Sequence, residues 1–320
     1  MEAPLRETRS NVSLAPLTTL RAGGAAERFW VARTVDQLAA ISGHLHAEGT
    51  VPTILGHGSN VLPSDDGVPG DTVHVLSRRI EIEPSGVVTA DCGCAFQDLF
   101  LATAQAGFLG FEYAVGIPGT LGGALVSNAG AYRSNVSEFL TELEVVHSGE
   151  RRWVEPTFMS FSYRDSRLRR PRPEACTLLR ARFRLPRGIP KAIYDEAREY
   201  QRQRISKQPP PASAGSFFKN VTGADFAASL ENLPDRLRNA GVVPAGFLIQ
   251  EAGLSGFRHK GAMIARRHAN FIVNVGGATA FAIRELAELA KRRVLDQFGV
   301  LLEEEVLYLG DWSRFGTAEA

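Results

Sequence analysis

Five short segments of this chain carry the side chains that could do chemistry, because each sets polar groups among small or apolar residues. The longest, residues 116–130, holds five glycines and has Thr120, Ser127 and Asn128 as its main hydrogen-bonding side chains. Glycines at this density allow positive φ and let a large flat or anionic ligand approach the backbone N–H groups. A buried turn or a bulged strand would use glycine equally well. The run alone therefore leaves ligand contact and plain structure equally open.

A second glycine loop, residues 56–60, follows an apolar run that we predict to be a short buried strand, 51–55. A strand that runs into a glycine loop is a place where a nucleotide phosphate can bind. The loop lacks the Lys-Ser/Thr of a P-loop and the spacing of G-x-G-x-x-G. Its position therefore indicates phosphate binding, without indicating a known nucleotide motif.

The other three segments carry hydroxyl or charged groups. Residues 161–167 include Arg164, residues 213–220 include Ser216, and residues 302–306 contain three consecutive glutamates. A guanidinium can bind a carboxylate through two hydrogen bonds, and a hydroxyl or carboxyl group can move a proton. An exposed arginine, a capping serine and a surface carboxylate are the ordinary structural alternatives.

Composition excludes several classes of protein. A length of 320 residues indicates two or three domains. A composition of 44% hydrophobic and 22% charged residues is typical of globular proteins. No run of about 18 apolar residues occurs, and the first residues lack the apolar core of a signal peptide. Three cysteines, Cys92, Cys94 and Cys176, are an odd and sparse set, which argues against a disulfide framework. We expect Cys92 and Cys94 to be small core residues and the protein to be cytoplasmic.

Charge argues against nucleic acid as a partner. The net charge is only +1, which gives no overall attraction to nucleic acid. The segment from Arg164 to Arg187 nevertheless contains nine arginines and only two acidic residues. Arg180, Arg182 and Arg184 alternate with apolar residues, which predicts one solvated face of a strand. A nucleic-acid-binding protein that uses this segment stays a weak alternative.

Periodicity predicts an α+β fold. Helices are expected over 35–49, 96–107, 189–204 and 281–298, the first with a capping box at Thr34 and Gln37. Strands are expected over 51–55, 72–76, 81–82, 87–90, 143–147, 151–155, 176–185 and 300–309. The proline triplet 209–211 marks the best domain boundary, near residue 208.

Seven motifs occur in order along the chain, within 18–24, 55–60, 116–132, 163–166, 214–220, 259–274 and 302–306. Together they resemble the UDP-N-acetylenolpyruvoylglucosamine reductases, a flavoenzyme family of bacterial cell-wall synthesis, over residues 11–310. The glycine run and Ala-Gly-Ser-Phe-Phe-Lys-Asn at 214–220 are the most specific. The resemblance implies an FAD-binding fold of the vanillyl-alcohol-oxidase (PCMH) type plus a smaller α+β substrate-binding domain. We place the FAD-binding region at 1–207, with subdomains at about 1–75 and 76–207, and the substrate domain at 208–300. Residues 301–320 are expected to return to the FAD-binding region.

The resemblance also implies a reaction, in which NADPH reduces non-covalent FAD and the flavin reduces the enolpyruvyl ether of UDP-N-acetylglucosamine to a lactyl ether. By the family motifs, Arg164 and Glu305 stabilise an enolate-like intermediate, and Ser216 donates a proton to the α carbon. The residues matched to the flavin are Gly56, His57, Gly58, Ser59, Asn60, Gly116, Ile117, Pro118, Gly119, Thr120, Gly122, Gly123, Asn128, Ala129 and Gly130. Those matched to the substrate are Tyr163, Lys207, Asn220 and His268. No metal is implied, and the partners are expected to be small molecules bound by a monomer.

Two departures from the family pattern bear on the site. Glu304 stands where the family often has proline, so the register of the catalytic carboxylate lies among Glu303, Glu304 and Glu305; we choose Glu305 because valine follows it. The chain also lacks the tyrosine loop that closes over substrate in one subgroup. An FAD-dependent alcohol or sugar oxidase on the same scaffold, with flavin linked to His57, is the alternative activity.

Overall fold

The computed structural model describes residues 8–169 and 175–315, an α+β protein. Its α-helices are α1 (Val35–Ala47), α2 (Phe96–Gln105), α3 (Leu121–Val126), α4 (Pro190–Lys207), α5 (Ala224–Ser229), α6 (Asp235–Asn239), α7 (Ala245–Glu251) and α8 (Ala280–Phe298). Its strands are β1 (Arg9–Ser13), β2 (Ala25–Ala32), β3 (Thr53–Leu55), β4 (Val61–Pro63), β5 (Val68–Val75), β6 (Ile80–Ile82), β7 (Val87–Asp91), β8 (Gly130–Ala131), β9 (Ser134–Asn135), β10 (Leu140–His147), β11 (Glu150–Val154), β12 (Cys176–Arg184), β13 (Ala212–Ser213), β14 (Val221–Thr222), β15 (Val242–Val243), β16 (Arg258–His259), β17 (Ala262–Ile264), β18 (Ile272–Asn274) and β19 (Leu307–Leu309). Within these ranges, none of the helices combines the length and apolar character that a membrane crossing requires.

Contacts divide the chain into two units. The first comprises Ala26–Gly58, Val68–Ser206 and the N-terminal segment as far as Val12. The second comprises Ser13–Ala25, Ser59–Gly67 and the chain from Lys207 onward.

The first sheet of unit one has the order β1-β2-β5-β3 and is covered by α1. Strands β2 and β3 each pair in parallel with β5. Parallel strands need a crossover connection, and α1 provides the one between β2 and β3. Leu38, Ile41 and Leu45 of α1 pack in a core with Trp30 and other sheet residues. Helix α1 confirms the predicted helix.

The predicted capping box of α1 takes a slightly different form. The Thr34 hydroxyl accepts a hydrogen bond from the Gln37 N–H at 3.2 Å. The Gln37 side chain, in return, accepts from the N–H of Arg33 at 2.8 Å, one residue before the cap. Both bonds satisfy backbone donors at the helix start, where no intrahelical acceptor exists.

The second sheet of unit one, β11-β10-β12-β7-β6, is antiparallel. Its core includes Phe96 of α2 together with Cys92 and Cys94, which are buried as the sequence predicted. The solvated face predicted for β12 is found at Arg184, which is exposed, but not at its two neighbours. Arg180 and Arg182 are only partly exposed, because ion pairs with Glu144 and Glu142 of β10 hold them against the sheet.

Unit two packs α7 and α8 with the sheet β13-β18-β17-β16. Helix α8 confirms the predicted helix and ends at Gly299, whose φ of 70° is the left-handed conformation that suits glycine. Leu20 and Leu62 belong to the same buried core as Ile283 of α8. This burial places two N-terminal segments in unit two, whereas the sequence-based domain division kept both in the FAD-binding region.

The predicted final strand, 300–309, is wrong for most of its length. Only Leu307–Leu309 forms a strand, β19, which pairs in parallel with β4. Residues just before it bond elsewhere: Lys219 N–H donates to the Glu303 carbonyl and Glu305 N–H to the Phe217 carbonyl, both at 2.8 Å. Irregular pairing with the segment 217–219 thus replaces the expected strand, within the same unit.

Candidate active site

The glycine run in unit one contains a short helix that the sequence did not predict. Gly116 and Gly119 take positive φ, 71° and 127°, and α3 follows them. Thr120 caps α3 by accepting a hydrogen bond from the Gly123 N–H at 3.3 Å. A Cβ on Gly122 would lie 3.0 Å from the Cys92 carbonyl, which explains why a side chain is absent there. The run is therefore a tight turn leading into a closely packed helix.

The glycine loop of unit one touches this run. A Cβ built on Gly56 would collide with the hydroxyl and methyl groups of Thr120, so the Thr120 side chain lies against the Gly56 backbone as only glycine permits. Gly58 takes a φ of 60°, and the His57 side chain between them is exposed. The structure thus brings together two of the segments that the sequence assigned to the flavin. The chain passes into unit two after Gly58, with Ser59 and Asn60.

Asn128 and Arg164 meet at the end of the glycine run. The Asn128 side-chain amide donates to the Ser162 carbonyl at 2.8 Å. Its Oδ1 atom is buried and accepts no hydrogen bond from the described part of the chain. The Arg164 guanidinium donates to the carbonyls of Asn128 and Gly130. Ser166 secures the same turn, because its hydroxyl donates to the Val126 carbonyl at 2.6 Å. Arg164 is thereby held against the predicted flavin segment.

Sequence reasoning missed Arg204, which also lies against the run. Its guanidinium donates to the Tyr113 carbonyl at 3.0 Å and lies 5.6 Å from the ring centroid of Tyr132. Burial, together with the nearby charge of Arg164, lowers the pKa of Arg204. The available signal was position in the sequence: Tyr132 lies two residues after the run, and Arg204 three residues before Lys207. Tyr163, which was predicted, is 55% exposed.

Ser216 lies in unit two, on a loop between β13 and β14. Gly215 before it takes a φ of 79° and faces open space, whereas Phe217 and Phe218 after it are buried. The Ser216 hydroxyl makes no hydrogen bond with any described residue. A buried pair of aromatic rings thus anchors the loop and leaves one hydroxyl available to a ligand.

Asn270 holds this loop through a clamp that sequence reasoning also missed. Its side chain accepts a hydrogen bond from the Phe218 N–H at 2.9 Å and donates to the Phe218 carbonyl at 2.8 Å. Its own carbonyl accepts from the Phe217 N–H at 2.7 Å. Asn270 is 3% exposed, so these are buried bonds. The motif at 259–274 contained this residue, but nothing in the sequence said which segment it would contact.

The three consecutive glutamates have different surroundings in unit two. The carboxylate of Glu303 pairs with Lys219 at 3.0 Å, and that of Glu304 pairs with Lys291 at 3.2 Å. Glu305 continues the backbone pairing with the Ser216 loop, and its carbonyl accepts from the Asn60 side chain at 3.0 Å. The backbone of Glu305 is therefore the part of this run that adjoins the segment carrying Ser216.

The predicted substrate residues of unit two are spread around this loop. Lys207 is exposed at the end of α4. The Asn220 side chain accepts a hydrogen bond from the first N–H of α7, that of Ala245, at 3.3 Å. His268 is half-buried with its ring centroid 4.8 Å from that of Phe271. Burial, with a smaller effect of Lys207, lowers the pKa of His268.

Comparison with known proteins identifies the family. A model for the C-terminal domain of UDP-N-acetylenolpyruvoylglucosamine reductase matches residues 205–309, and one for an FAD-binding domain matches residues 26–154. A UDP-N-acetylenolpyruvoylglucosamine reductase from Synechococcus sp. is 36% identical over 95% of this chain and 92% of its own. This chain belongs to the UDP-N-acetylenolpyruvoylglucosamine reductase family.

Two further members of the reductase family are similar across nearly their whole length. The Caldicellulosiruptor saccharolyticus reductase is 35% identical over 93% of this chain and 91% of its own. The crystal structure of the Thermus caldophilus enzyme superposes with a TM-score of 0.74 at 32% identity, covering 95% of this chain and 98% of that one. The predicted α+β fold with an FAD-binding domain is confirmed. The individual site residues stay predictions.

The residues of unit one fit an FAD cofactor. The flavin is a large ring system with several hydrogen-bonding groups, and it is linked to an anionic pyrophosphate. The glycine run presents backbone groups with no ionisable side chain, and the buried Oδ1 of Asn128 lacks a donor within the described residues. Such an unpaired buried acceptor is costly unless a ligand supplies the hydrogen bond. Across the described ranges, no group of histidine, cysteine or acidic residues could hold a metal ion.

Proposed function

We propose that this chain uses FAD and NADPH to reduce the enolpyruvyl ether of UDP-N-acetylglucosamine to the lactyl ether of UDP-N-acetylmuramate, a peptidoglycan precursor. The observation that carries the proposal is identity of about one third to named reductases over almost the entire chain. Bound FAD supplies a hydride carrier that NADPH reduces. The residues that would hold it are those of 56–60 and of the glycine run.

Arg164 and Glu305 are proposed to stabilise the intermediate. Addition of hydride to the vinyl methylene carbon moves electrons toward the substrate carboxylate and forms an enolate. A guanidinium can bind both carboxylate oxygens and stabilise the charge that develops there. The two backbone carbonyls that accept hydrogen bonds from Arg164 support this role, because they orient its planar group beside the glycine run. Glu305 is preferred over its neighbours because valine follows it in the sequence and its N–H donates to the Phe217 carbonyl, next to Ser216.

Ser216 is proposed to donate the proton that completes the reaction. The enolate carries its basic carbon next to the carboxylate, and protonation there forms the lactyl ether. A serine hydroxyl is a weak acid, so it can act only toward a strongly basic carbon at close range. The anchored loop and the unoccupied hydrogen-bonding capacity of its hydroxyl support this assignment. The serine then regains a proton from solvent.

Recognition of the uridine diphosphate is assigned to Lys207 and Asn220, with His268 as a further candidate, and Tyr163 is assigned to substrate binding. An exposed ammonium such as that of Lys207 suits a pyrophosphate, and no carboxylate of the described residues pairs with it. Lys207→Ala is expected to raise KM for the substrate more than it lowers kcat.

A monomeric state and a cytoplasmic location are also part of the proposal. Light scattering of the purified protein tests the monomeric state, and cell fractionation tests the location.

The decisive experiment separates the two half-reactions of Ser216→Ala. NADPH should bleach the flavin absorbance of the variant at the normal rate, but the enolpyruvyl substrate should fail to restore it. Ser213→Ala, on the strand just before the loop, is the matched control and should turn over normally. Normal turnover in Ser216→Ala would eliminate the proton-donor assignment, and a colourless protein would eliminate the flavoenzyme.

A second experiment tests the register of the carboxylate. Glu305→Gln should slow reoxidation by the enolpyruvyl substrate at least about a hundredfold, as removal of a group that stabilises a transition state does. Glu303→Gln and Glu304→Gln should have small effects on that step. If Glu303→Gln or Glu304→Gln slowed reoxidation more than Glu305→Gln, that glutamate would be the catalytic carboxylate instead.

A further inference from the structure

A cleft in unit one, separate from the residues assigned to flavin and substrate, is lined by arginine. Its volume is about 680 Å³, within the range of small-molecule sites. Five arginines line it, namely Arg33, Arg78, Arg79, Arg151 and Arg180. The reaction proposed above uses none of them.

Three of these arginines are already paired. Arg151 and Arg180 donate to the two oxygens of the buried Glu144 at 2.8 and 2.6 Å. Arg79 pairs with Glu81 at 2.6 Å. These pairs account for the three arginines as parts of the sheet surface, so they do not by themselves indicate a ligand.

Arg33 and Arg78 are different. Within 8–169 and 175–315, neither guanidinium makes an ion pair or a hydrogen bond with the protein. Two like charges at one cleft repel each other, and neither is paired with an acidic residue of the lining. The two side chains together carry ten guanidinium N–H donors, five each, which can bind an anion from solution.

The start of α1 adds to the same positive surface. Thr34 and Val35 line the cleft, and the helix that begins there is 13 residues long. N–H groups in a first helical turn, with the helix dipole, favour anions. Of the two acids in the lining, Asp36 pairs with Arg151 at 2.6 Å and Asp91 accepts from the Arg79 backbone at 2.9 Å. Both acids are therefore engaged by neighbouring donors.

We propose that this cleft is a second ligand site, which binds a small phosphorylated molecule through Arg33 and Arg78. A phosphate group carries close to two negative charges and several acceptor oxygens, which matches two unpaired guanidinium groups. Binding would leave the pairs of Arg151 and Arg180 with Glu144 intact. The site does not depend on the proposed reaction, because it shares no residue with it.

The test uses the FAD-loaded enzyme saturated with UDP-N-acetylmuramate, so that any pyrophosphate site for substrate is filled. Titration calorimetry with inorganic pyrophosphate should then show one saturable site. Arg33→Gln or Arg78→Gln should each weaken binding about tenfold, the value of one charge-assisted interaction, and the double variant should abolish it. Arg292→Gln is the matched control, because Arg292 is also exposed and makes no pair with a described residue.

The flavin absorbance and melting temperature of each variant establish that it is folded. Undiminished pyrophosphate binding in the folded double variant, or the absence of saturable binding in the parent enzyme, would overturn the site. Citrate binding as tightly as pyrophosphate would overturn the assignment to phosphorylated ligands. Loss of NADPH-dependent flavin reduction in the variants would contradict the separation of this cleft from the flavin.

Discussion

The glycine run of unit one and the Ser216 loop of unit two reach defined shapes by opposite means. The run is shaped by its main chain: glycines allow positive φ at 116 and 119, and the lack of a Cβ lets residue 56 pack on Thr120. The loop is shaped by a side chain, because the buried amide of Asn270 pairs with both backbone groups of Phe218. A surface made of backbone groups suits a large flat ligand such as a flavin. Fixed side-chain bonds such as those of Asn270 suit a loop that must orient one hydroxyl, that of Ser216.

This difference predicts different responses to substitution. A main-chain site should fail when atoms are added, since its close approach leaves no room for a Cβ. A clamped loop should fail when atoms are removed, since buried backbone groups then lose their partners. The following changes, ordered by expected size, test that contrast.

The largest effect is expected from Asn270→Ala. Removing the amide leaves a buried N–H and a buried carbonyl unpaired, so the free energy of unfolding in urea should fall by about 2–4 kcal/mol. Reoxidation of flavin by the enolpyruvyl substrate should slow more than reduction by NADPH, because the loop carries Ser216. Asn270→Asp should not restore this stability, because it buries a carboxylate oxygen against the Phe218 carbonyl, which needs a donor. Equal slowing of both half-reactions would show that Asn270 only maintains the fold.

Gly56→Ala should come second. Its Cβ would collide with Thr120, so the loop must shift, at a cost of about 1–3 kcal/mol for an overpacked site. We expect weaker FAD binding, measured by flavin release on dilution, and partial recovery in the double variant with Thr120→Ala. Gly43→Ala in α1 meets only an ordinary contact, 3.8 Å from the Gly149 carbonyl, and serves as the control. Flavin retention equal to the control would show that the close approach is unimportant.

Ser166→Ala should have a smaller effect. It deletes the hydrogen bond to the Val126 carbonyl beside the Arg164 turn, worth about 1 kcal/mol net. The free energy of unfolding should fall by that amount, and substrate reduction should slow modestly. Ser85→Ala, on an exposed turn of the same unit, should change neither quantity. A large loss of stability would mean that the turn depends on this bond more than its surroundings indicate.

The smallest effect concerns pH and His268. Because burial lowers its pKa in the folded state, the unfolded chain binds the proton first as the pH falls. Stability contributed by the neutral ring is complete above the ordinary pKa of about 6.5 and declines as the pH falls toward the folded-state value. In His268→Gln, the fall in unfolding free energy between pH 7.5 and 5.5 should be shallower than in the parent. An unchanged slope would assign the acid sensitivity to other groups.

Local patterns in the sequence determined the long elements of this protein. Helix α1 follows from a capping residue and an apolar period, and α8 from the same period closed by Gly299. Short stretches of apolar or alternating residues likewise predicted β10 and β12. Each of these predictions used only residues that are neighbours in the sequence. The site residues were predicted from a family resemblance, through motifs whose order along the chain was specific although each alone was weak.

Only the tertiary structure decided how those motifs are held. Helix α3 forms inside the glycine run because Cys92 and Cys94 carbonyls accept hydrogen bonds from its first residues. Residues 303–305 pair with the Ser216 loop instead of extending β19, and Asn270 joins that loop from more than 50 positions away. Such contacts depend on partners that are distant in sequence, so no local period or propensity encodes them.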